Sequence, residues 1–254
     1  MEPRRIFLTG ASTGIGNALA RRWAGPGVFL GLNARRESLL AELARELEAK
    51  GARVSLHPGD VADTAFLARA ARDYLEAAGG VDLVVANAGV ANPKGVLDGD
   101  AEPVARLLSI NVIGVANTVL PFVPAMRRAG SGVLAAVSSV AGHRAFPGHA
   151  AYSASKAAVI TLMDGLRMEL HGTGVHAMTI CPGFVVTPMT ESITYPMPFL
   201  VDVERAARWT DEAIRRRERT FDFPWQLRLL APAVRALPEA VVRDLAKWAQ
   251  RPRT

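Results

Sequence analysis

The strongest chemical signal in the chain is a tyrosine and a lysine four positions apart, Tyr152 and Lys156, with Ser139 thirteen residues before the tyrosine. On a helix, residues four apart share a face. A phenol titrates near ~10 and is a poor base at neutral pH. An ammonium on the next turn favours the phenolate and lowers that pKa. A hydroxyl from a neighbouring strand end or loop could hold a carbonyl or alcohol oxygen beside the phenol. Together these parts suit proton transfer to or from a substrate oxygen. Ser138 is the rival hydroxyl, expected to face the other way on the strand end. A Tyr and a Lys at this spacing also make an ordinary surface pair, so their meaning rests on the elements that position them.

Those elements follow from the hydrophobic pattern. Short runs rich in Val, Ile and Leu predict strands over 4–9, 28–33, 53–58, 81–86, 132–137 and 176–181. Longer amphipathic stretches predict helices over 14–24, 37–50, 63–78, 103–128 and 150–171. This alternation predicts an α/β fold with a mostly parallel sheet covered on both faces. No linker or repeat divides residues 1–183, so one domain is expected. A further strand over 219–223 could close the sheet. The first strand runs into Thr9-Gly10-Ala11-Ser12-Thr13-Gly14-Ile15-Gly16, a glycine-rich turn that opens a helix. Such a turn lets backbone N–H groups and a helix N-terminus approach a pyrophosphate.

These motifs, in this order, resemble the short-chain dehydrogenase/reductase family across residues 1–190. The matching positions are Gly10, Ser12, Thr13, Gly14, Ile15 and Gly16, then Asp60 and Val61, Asn87, Ala88 and Gly89, Asn111, Ser139, Tyr152, Lys156, and Pro182 with Gly183 and Thr187. The resemblance implies a single Rossmann-like, doubly wound sheet of order 3-2-1-4-5-6-7 and a hydride transfer between a nicotinamide cofactor and a carbonyl or alcohol. It implies that Asp60 and Val61 contact the adenine and that Asn87, Ala88 and Gly89 pass beside the riboses. Pro182, Gly183, Val185 and Thr187 would hold the nicotinamide end. Tyr152 would be the acid or base and Ser139, chosen over Ser138 by the family's spacing, would position the oxygen. Lys156 would lower the tyrosine pKa and bind the nicotinamide ribose, and Asn111 would bind a water leading from Lys156 to solvent.

Charge at the end of the second strand bears on which cofactor. There Asn33-Ala34-Arg35-Arg36 puts Ala34 where users of NAD carry an acid for the ribose 2′-OH, and Arg35 and Arg36 follow. A guanidinium can pair with a 2′-phosphate, which an acid would repel, so NADP is expected over NAD. The same two arginines could instead simply begin an exposed helix. Thr13 departs from the pattern, because many NADP-using relatives carry a second basic residue in the loop.

Composition narrows the remaining classes. One cysteine, Cys181, excludes an intrachain disulfide framework and reads as a small buried hydrophobe. No Cys/His cluster has metal-ligand spacing, so no metal is expected. A strand starts within a few residues of Met1 and no apolar run approaches a membrane span, which predicts a cytoplasmic protein. The net charge is +6, and residues 215–254 hold ten Arg/Lys against four Asp/Glu, so the rest of the chain is neutral. Nucleic acid is not an expected partner, since these charges lie along an apolar pattern with few aromatics for stacking.

The segment 184–202, rich in Met, Pro and aromatics, reads as a substrate lid with an apolar underside, which points to a medium or large hydrophobic carbonyl or alcohol. His143 and Arg144 could supply polar contacts to it. The domain is expected to end near 224. Beyond it, 225–254 forms a basic tail in which Leu230, Val234, Leu237, Val241, Leu245 and Trp248 make a helical stripe broken by Pro232 and Pro238. The stripe could roof the body, make a homodimer contact, or lie on an anionic membrane surface. A non-catalytic dinucleotide-binding redox sensor is the alternative function, and an epimerase or dehydratase a third.

Overall fold

The computed structural model describes residues 4–91, 99–191, 193, 195–229 and 237–249. Seven parallel strands lie in the order β3-β2-β1-β4-β5-β6-β7. They are β1 (Arg5–Thr9), β2 (Phe29–Ala34), β3 (Arg53–Pro58), β4 (Leu83–Ala86), β5 (Gly132–Val137), β6 (Val175–Pro182) and β7 (Thr220–Phe223). The strand expected over 219–223 is thus β7, paired with β6 so that Cys181 lies opposite Asp222.

Period-two alternation sorts each strand's side chains onto two cores. Ile6 and Leu8 of β1 join Leu30, Leu32, Leu83, Val85 and Ile180 on one face. Helices α1 (Gly14–Trp23), α2 (Glu37–Ala49) and α8 (Val203–Arg215) cover that face through Leu19, Leu40 and Ile214. Phe7 points the other way, with Val84, Leu134 and Ala177. There it meets α3 (Thr64–Ala78), the helical run Glu102–Ala129 and α7 (Ala150–Glu169) through Tyr74, Phe122, Val159 and Met163. Gly31 is required beside this second core, because a Cβ there would run into the Tyr74 and Phe7 rings.

Ends are set locally. The Asp63 carboxylate accepts from the Phe66 N–H at 2.8 Å to start α3, and Gly79, at φ 67°, stops it. The Asp202 carboxylate starts α8 in the same way, accepting from the Arg205 N–H at 2.8 Å. The sequence pattern did not single out α8, whose buried positions include the small residues Ala206, Ala207 and Ala213.

The run Glu102–Ala129 is long and apolar enough to cross a membrane by length and composition, and half of its apolar window is buried. It is not a uniform α-helix. It comprises α4 (Glu102–Leu108), a π-helical turn Ser109–Ile113, α5 (Gly114–Val119), a 3-10 turn Leu120–Phe122 and α6 (Val123–Ala129). Val115, Val119, Phe122 and Met126 pack it on the sheet, as in a core helix.

The tail stripe is phased differently from the sequence expectation. A helix, α9 (Glu239–Ala249), does begin just past Pro238. Its buried valine is Val242, 5% exposed, whereas Val241 is 41% exposed. Starting the helix after a proline resets its rotation, so a stripe projected through Pro238 falls one residue out of step. Leu230, Pro232 and Val234 lie outside the described residues, as do the side chains of Leu245 and Trp248.

Candidate active site

Strand order reverses between β1 and β4, which opens a crevice at the carboxyl ends of the sheet. The glycine-rich turn sits there. Gly10 and Gly14 have φ of 70° and 61°, a conformation that disfavours side chains. A Cβ on Gly16 would lie 2.5 Å from the Gly10 carbonyl oxygen. Across the crevice, Asn87 Nδ2 donates to the carbonyls of Thr9 and Gly10, both at 3.1 Å. The Thr9 hydroxyl accepts from the backbone N–H of Asn87 at 3.2 Å, which locks the end of β1 to the end of β4. Thr13 makes no side-chain cap on α1, and the first turn of that helix carries no acid. Its leading N–H groups therefore face the crevice with a positive dipole end, which fits a pyrophosphate. Thr187 lies over Gly14, 3.3 Å from the position a Cβ would take. That brings the segment after Pro182 and Gly183 against the same turn.

Just past β3, Asp60 accepts from the backbone N–H of Ala62 at 2.9 Å and pairs with Arg106. Although burial works against it, these contacts and the nearby charge of Arg35 hold its carboxyl below the usual range. Val61 is buried beside it. Ala34 ends β2, so no carboxylate stands at that point. Arg36, rather than Arg35, reaches the loop: its Nη2 donates to Ser12 Oγ and Thr13 Oγ1, both at 3.3 Å. A guanidinium thus covers the loop position where Thr13 departs from the family pattern.

Tyr152 and Lys156 of α7 come together with Ser139 past the end of β5. Ser138 turns away, as expected, and its hydroxyl donates to the Lys156 carbonyl at 2.8 Å. Ser139 stands close enough to the Tyr152 phenol to favour its ionised form, donates to the Pro182 carbonyl at 3.3 Å and accepts from the backbone N–H of Ala141 at 3.2 Å. The buried Lys156 ammonium lies 5.6 Å from the centre of the Tyr152 ring and donates to the Val137 carbonyl at 3.0 Å. Burial pushes the Tyr152 phenol up and pushes Lys156 down to about 8. This corrects the lowered tyrosine pKa expected from spacing. In the chain by itself, desolvation of the phenolate outweighs the help from Ser139.

Asn111 occupies the π-helical turn, a feature common at functional positions. Its side chain is spent on structure: Oδ1 accepts from the Val90 N–H at 2.8 Å, and Nδ2 donates to the Val90 carbonyl and to Ser155 Oγ. Gly89 separates it from the lysine. A Cβ there would lie 3.3 Å from Asn111 Oδ1 and 3.5 Å from Lys156 Nζ.

The two polar contacts expected beside Ser139 both have partners within the chain. His143 Nε2 hydrogen-bonds Asp222 at 2.7 Å, and Arg144 donates to the Leu237 carbonyl at 3.1 Å. His143, Cys181 and Asp222 bring their ligand atoms within 4.8 Å of one another, a grouping that no sequence spacing revealed because β6–β7 pairing creates it. The cysteine is fully buried, as its composition-based reading has it, and burial beside Asp222 holds its thiol well up.

The sequence reading placed Tyr195 in the lid but missed its pairing with His149. Tyr195 of the lid hydrogen-bonds His149 Nε2 at 3.2 Å and packs edge-on to Phe184. His149 stands at the start of α7, three residues before Tyr152, and the Tyr195 phenol lies near enough to Tyr152 to raise its pKa. The pair is 46 residues apart in sequence, so only the fold joins it.

The sequence profile of the short chain dehydrogenase family matches residues 4–197. An "Uncharacterized oxidoreductase" of Myxococcus xanthus is 39% identical over 247 residues, covering 97% of this chain and 98% of that protein. A short chain dehydrogenase/reductase from Burkholderia phymatum, solved in complex with NAD, superposes with a TM-score of 0.83 at 26% identity, covering 100% of this chain and 99% of that one. An alcohol dehydrogenase from Thermococcus sibiricus, complexed with 5-hydroxy-NADP, gives 0.76 at 28% identity, covering 86% and 94%. The resemblance carried by the glycine-rich turn and the Ser139–Tyr152–Lys156 spacing thus extends to the whole fold, and the chain belongs to the short-chain dehydrogenase/reductase family as an oxidoreductase built for a nicotinamide dinucleotide.

Proposed function

We propose that the chain is an NADP(H)-dependent carbonyl reductase or alcohol dehydrogenase acting on a medium or large hydrophobic substrate. The observation that carries this reading is the half-buried Tyr152 phenol beside Ser139, with the Lys156 ammonium over its ring. The bound dinucleotide would supply or accept the hydride at the substrate carbon. Tyr152 gives its proton to the developing alkoxide in reduction and takes one in oxidation. Ser139 holds the same oxygen, a donor preorganised where charge develops. Lys156 stabilises the phenolate left behind. A non-catalytic sensor would have no use for this proton path. Oxidation of NADPH across a panel of long-chain aldehydes, cyclic ketones and diketones tests the reading, and no turnover with any of them would favour the sensor.

Arg36 against Ser12 and Thr13, Arg35 near Asp60 and the absence of an acid at Ala34 support NADP. A 2′-phosphate there would gain charge-assisted hydrogen bonds, each worth about 1.5–3 kcal/mol. The expected kcat/KM therefore favours NADPH over NADH by at least ~10-fold. Ala34→Asp should reverse that order by repelling the phosphate. An unchanged ratio in the variant, or an NADH preference in the parent chain, would refute the assignment.

Tyr195 of the lid and His149 at the start of α7 form a polar pair that could take a second oxygen of the substrate. Tyr195→Phe should raise KM several-fold for substrates with a second oxygen while leaving kcat nearly unchanged, because the pair binds and does not transfer the proton. Equal KM changes for mono- and dioxygenated substrates would argue that the pair only stiffens the lid. The exposed Leu108, Ile113 and Leu120 on the Glu102–Ala129 run, together with Met168 of α7, fit a homodimer contact.

A further inference from the structure

We propose that His143, Cys181 and Asp222 form a binding site for a zinc-like divalent cation at the β6–β7 edge of the sheet. The fold assembles it from three separate stretches of chain. Cys181 of β6 and Asp222 of β7 lie opposite each other in the parallel register, so their side chains leave the same face. His143 follows the 3-10 turn Val140–Gly142, which starts at Ser139. That turn is pressed onto α7, since a Cβ on Gly142 would lie 2.8 Å from the Lys156 carbonyl carbon. The three ligand atoms come within 4.8 Å of one another, and His143 Nε2 stands 2.7 Å from Asp222 Oδ1.

Spacing and donor set point to one kind of ion. Zn²⁺ binds N and O at about 2.0–2.2 Å and S at about 2.3 Å, so its tetrahedral ligands sit roughly 3.3–3.6 Å apart. The cluster reaches that separation once the His143–Asp222 contact opens by about half an ångström. An imidazole, a thiolate and a carboxylate suit Zn²⁺ or Co²⁺, whereas Mg²⁺ and Ca²⁺ take oxygen ligands. The side chains of His143 and Asp222 are 11% and 16% exposed, which gives an ion and a fourth, water ligand a way in, while Cys181 is fully buried.

On binding, the Cys181 thiol gives its proton to solvent. Burial and the neighbouring Asp222 hold that proton on the free chain, and the dication supplies the charge that displaces it. Thiolate and carboxylate together neutralise the ion, which offsets the nearby Lys156 ammonium. This inference does not depend on the proposed reaction, since ion binding is read without substrate or dinucleotide.

The test titrates the full chain with Co²⁺ and then Zn²⁺ at neutral pH. Cys181 is the only cysteine in the chain, so a thiolate-to-cobalt charge-transfer band in the near ultraviolet reports on this thiol alone. Co²⁺ should produce the band, Zn²⁺ should abolish it by displacement, and Mg²⁺ at the same concentration should leave it unchanged. His143→Gln and Asp222→Asn should each weaken Co²⁺ binding at least ~10-fold, and Cys181→Ser should remove the band. Near-ultraviolet circular dichroism of each metal-free variant separates a lost ligand from a lost fold, and the parent titration stands apart from the variants. Absence of the band in the parent chain at millimolar Co²⁺ would overturn the proposal. So would an unchanged Co²⁺ affinity in both folded variants, which would leave Cys181 binding the ion without these partners. Displacement of Co²⁺ by an equal concentration of Mg²⁺ would likewise exclude a thiolate site.

Discussion

Replacing Tyr152 by Phe should lower kcat by ~10²–10⁴, the range of general acid–base contributions, equivalent to about 3–5 kcal/mol on the barrier. The phenyl ring keeps its packing and its place beneath the Lys156 ammonium, so only the hydroxyl with its transferable proton is lost. Dinucleotide affinity, read by titrating nicotinamide fluorescence, should stay within about two-fold. Lys156→Met provides the contrast, since it should weaken both turnover and cofactor binding. The pH dependence has a definite sign. Burial raises the Tyr152 pKa, so at neutral pH the phenol holds its proton and serves reduction. The reduction rate should be level below that pKa and fall above it. Oxidation needs the phenolate, so its rate should climb by up to ~10-fold per pH unit until the same pKa is passed. Turnover by the Tyr152→Phe variant within about ten-fold of the parent would remove Tyr152 from the reaction.

The sequence was most legible where one local rule decides the outcome. Buried parallel strands need continuous apolar runs, and each strand fell within two residues of its expected ends. The family's spacing picked Ser139 over Ser138, and alternation carried on past the end of β5 explains why the two hydroxyls face opposite ways. Spacing misleads on the tyrosine pKa, because a four-residue interval reports proximity to a charge and nothing about burial. Arg36 could not be told from Arg35, since the turn after β2 decides which guanidinium reaches Ser12. The His149–Tyr195 and His143–Asp222 pairs arise from tertiary approach, which no spacing encodes. The π-helical turn at Asn111 left no periodic trace, because one register shift inside a long helix barely alters its apolar stripe.

Helix α1, whose N-terminus opens from the glycine-rich turn, is anchored at its other end, and breaking that anchor should cost the most stability of any polar change described above. Asp211 of α8 is 1% exposed. Its carboxylate accepts from Trp23 Nε1 at 2.9 Å, from Arg22 Nε at 2.9 Å and from Arg215 Nε at 3.0 Å. Trp23 and Arg22 are the last turn of α1, so one carboxylate ties the cofactor helix to α8. Removing one partner of a buried ion pair commonly costs about 3–5 kcal/mol. Here the arginine side chains are more than a third exposed and can turn to water, which discounts the charge contribution. The buried indole N–H cannot do so, and leaving it without an acceptor costs about 1–3 kcal/mol. Asp211→Ala should therefore destabilise the fold by about 2–4 kcal/mol in urea unfolding. Asp211→Asn retains an acceptor for Trp23 and should lose less than half as much. Dinucleotide affinity should fall in the same order, because a loosened C-terminal turn of α1 lets its N-terminus drift from the glycine-rich loop. Equal destabilisation by the two substitutions would show that charge, and not the indole hydrogen bond, holds the helix in place.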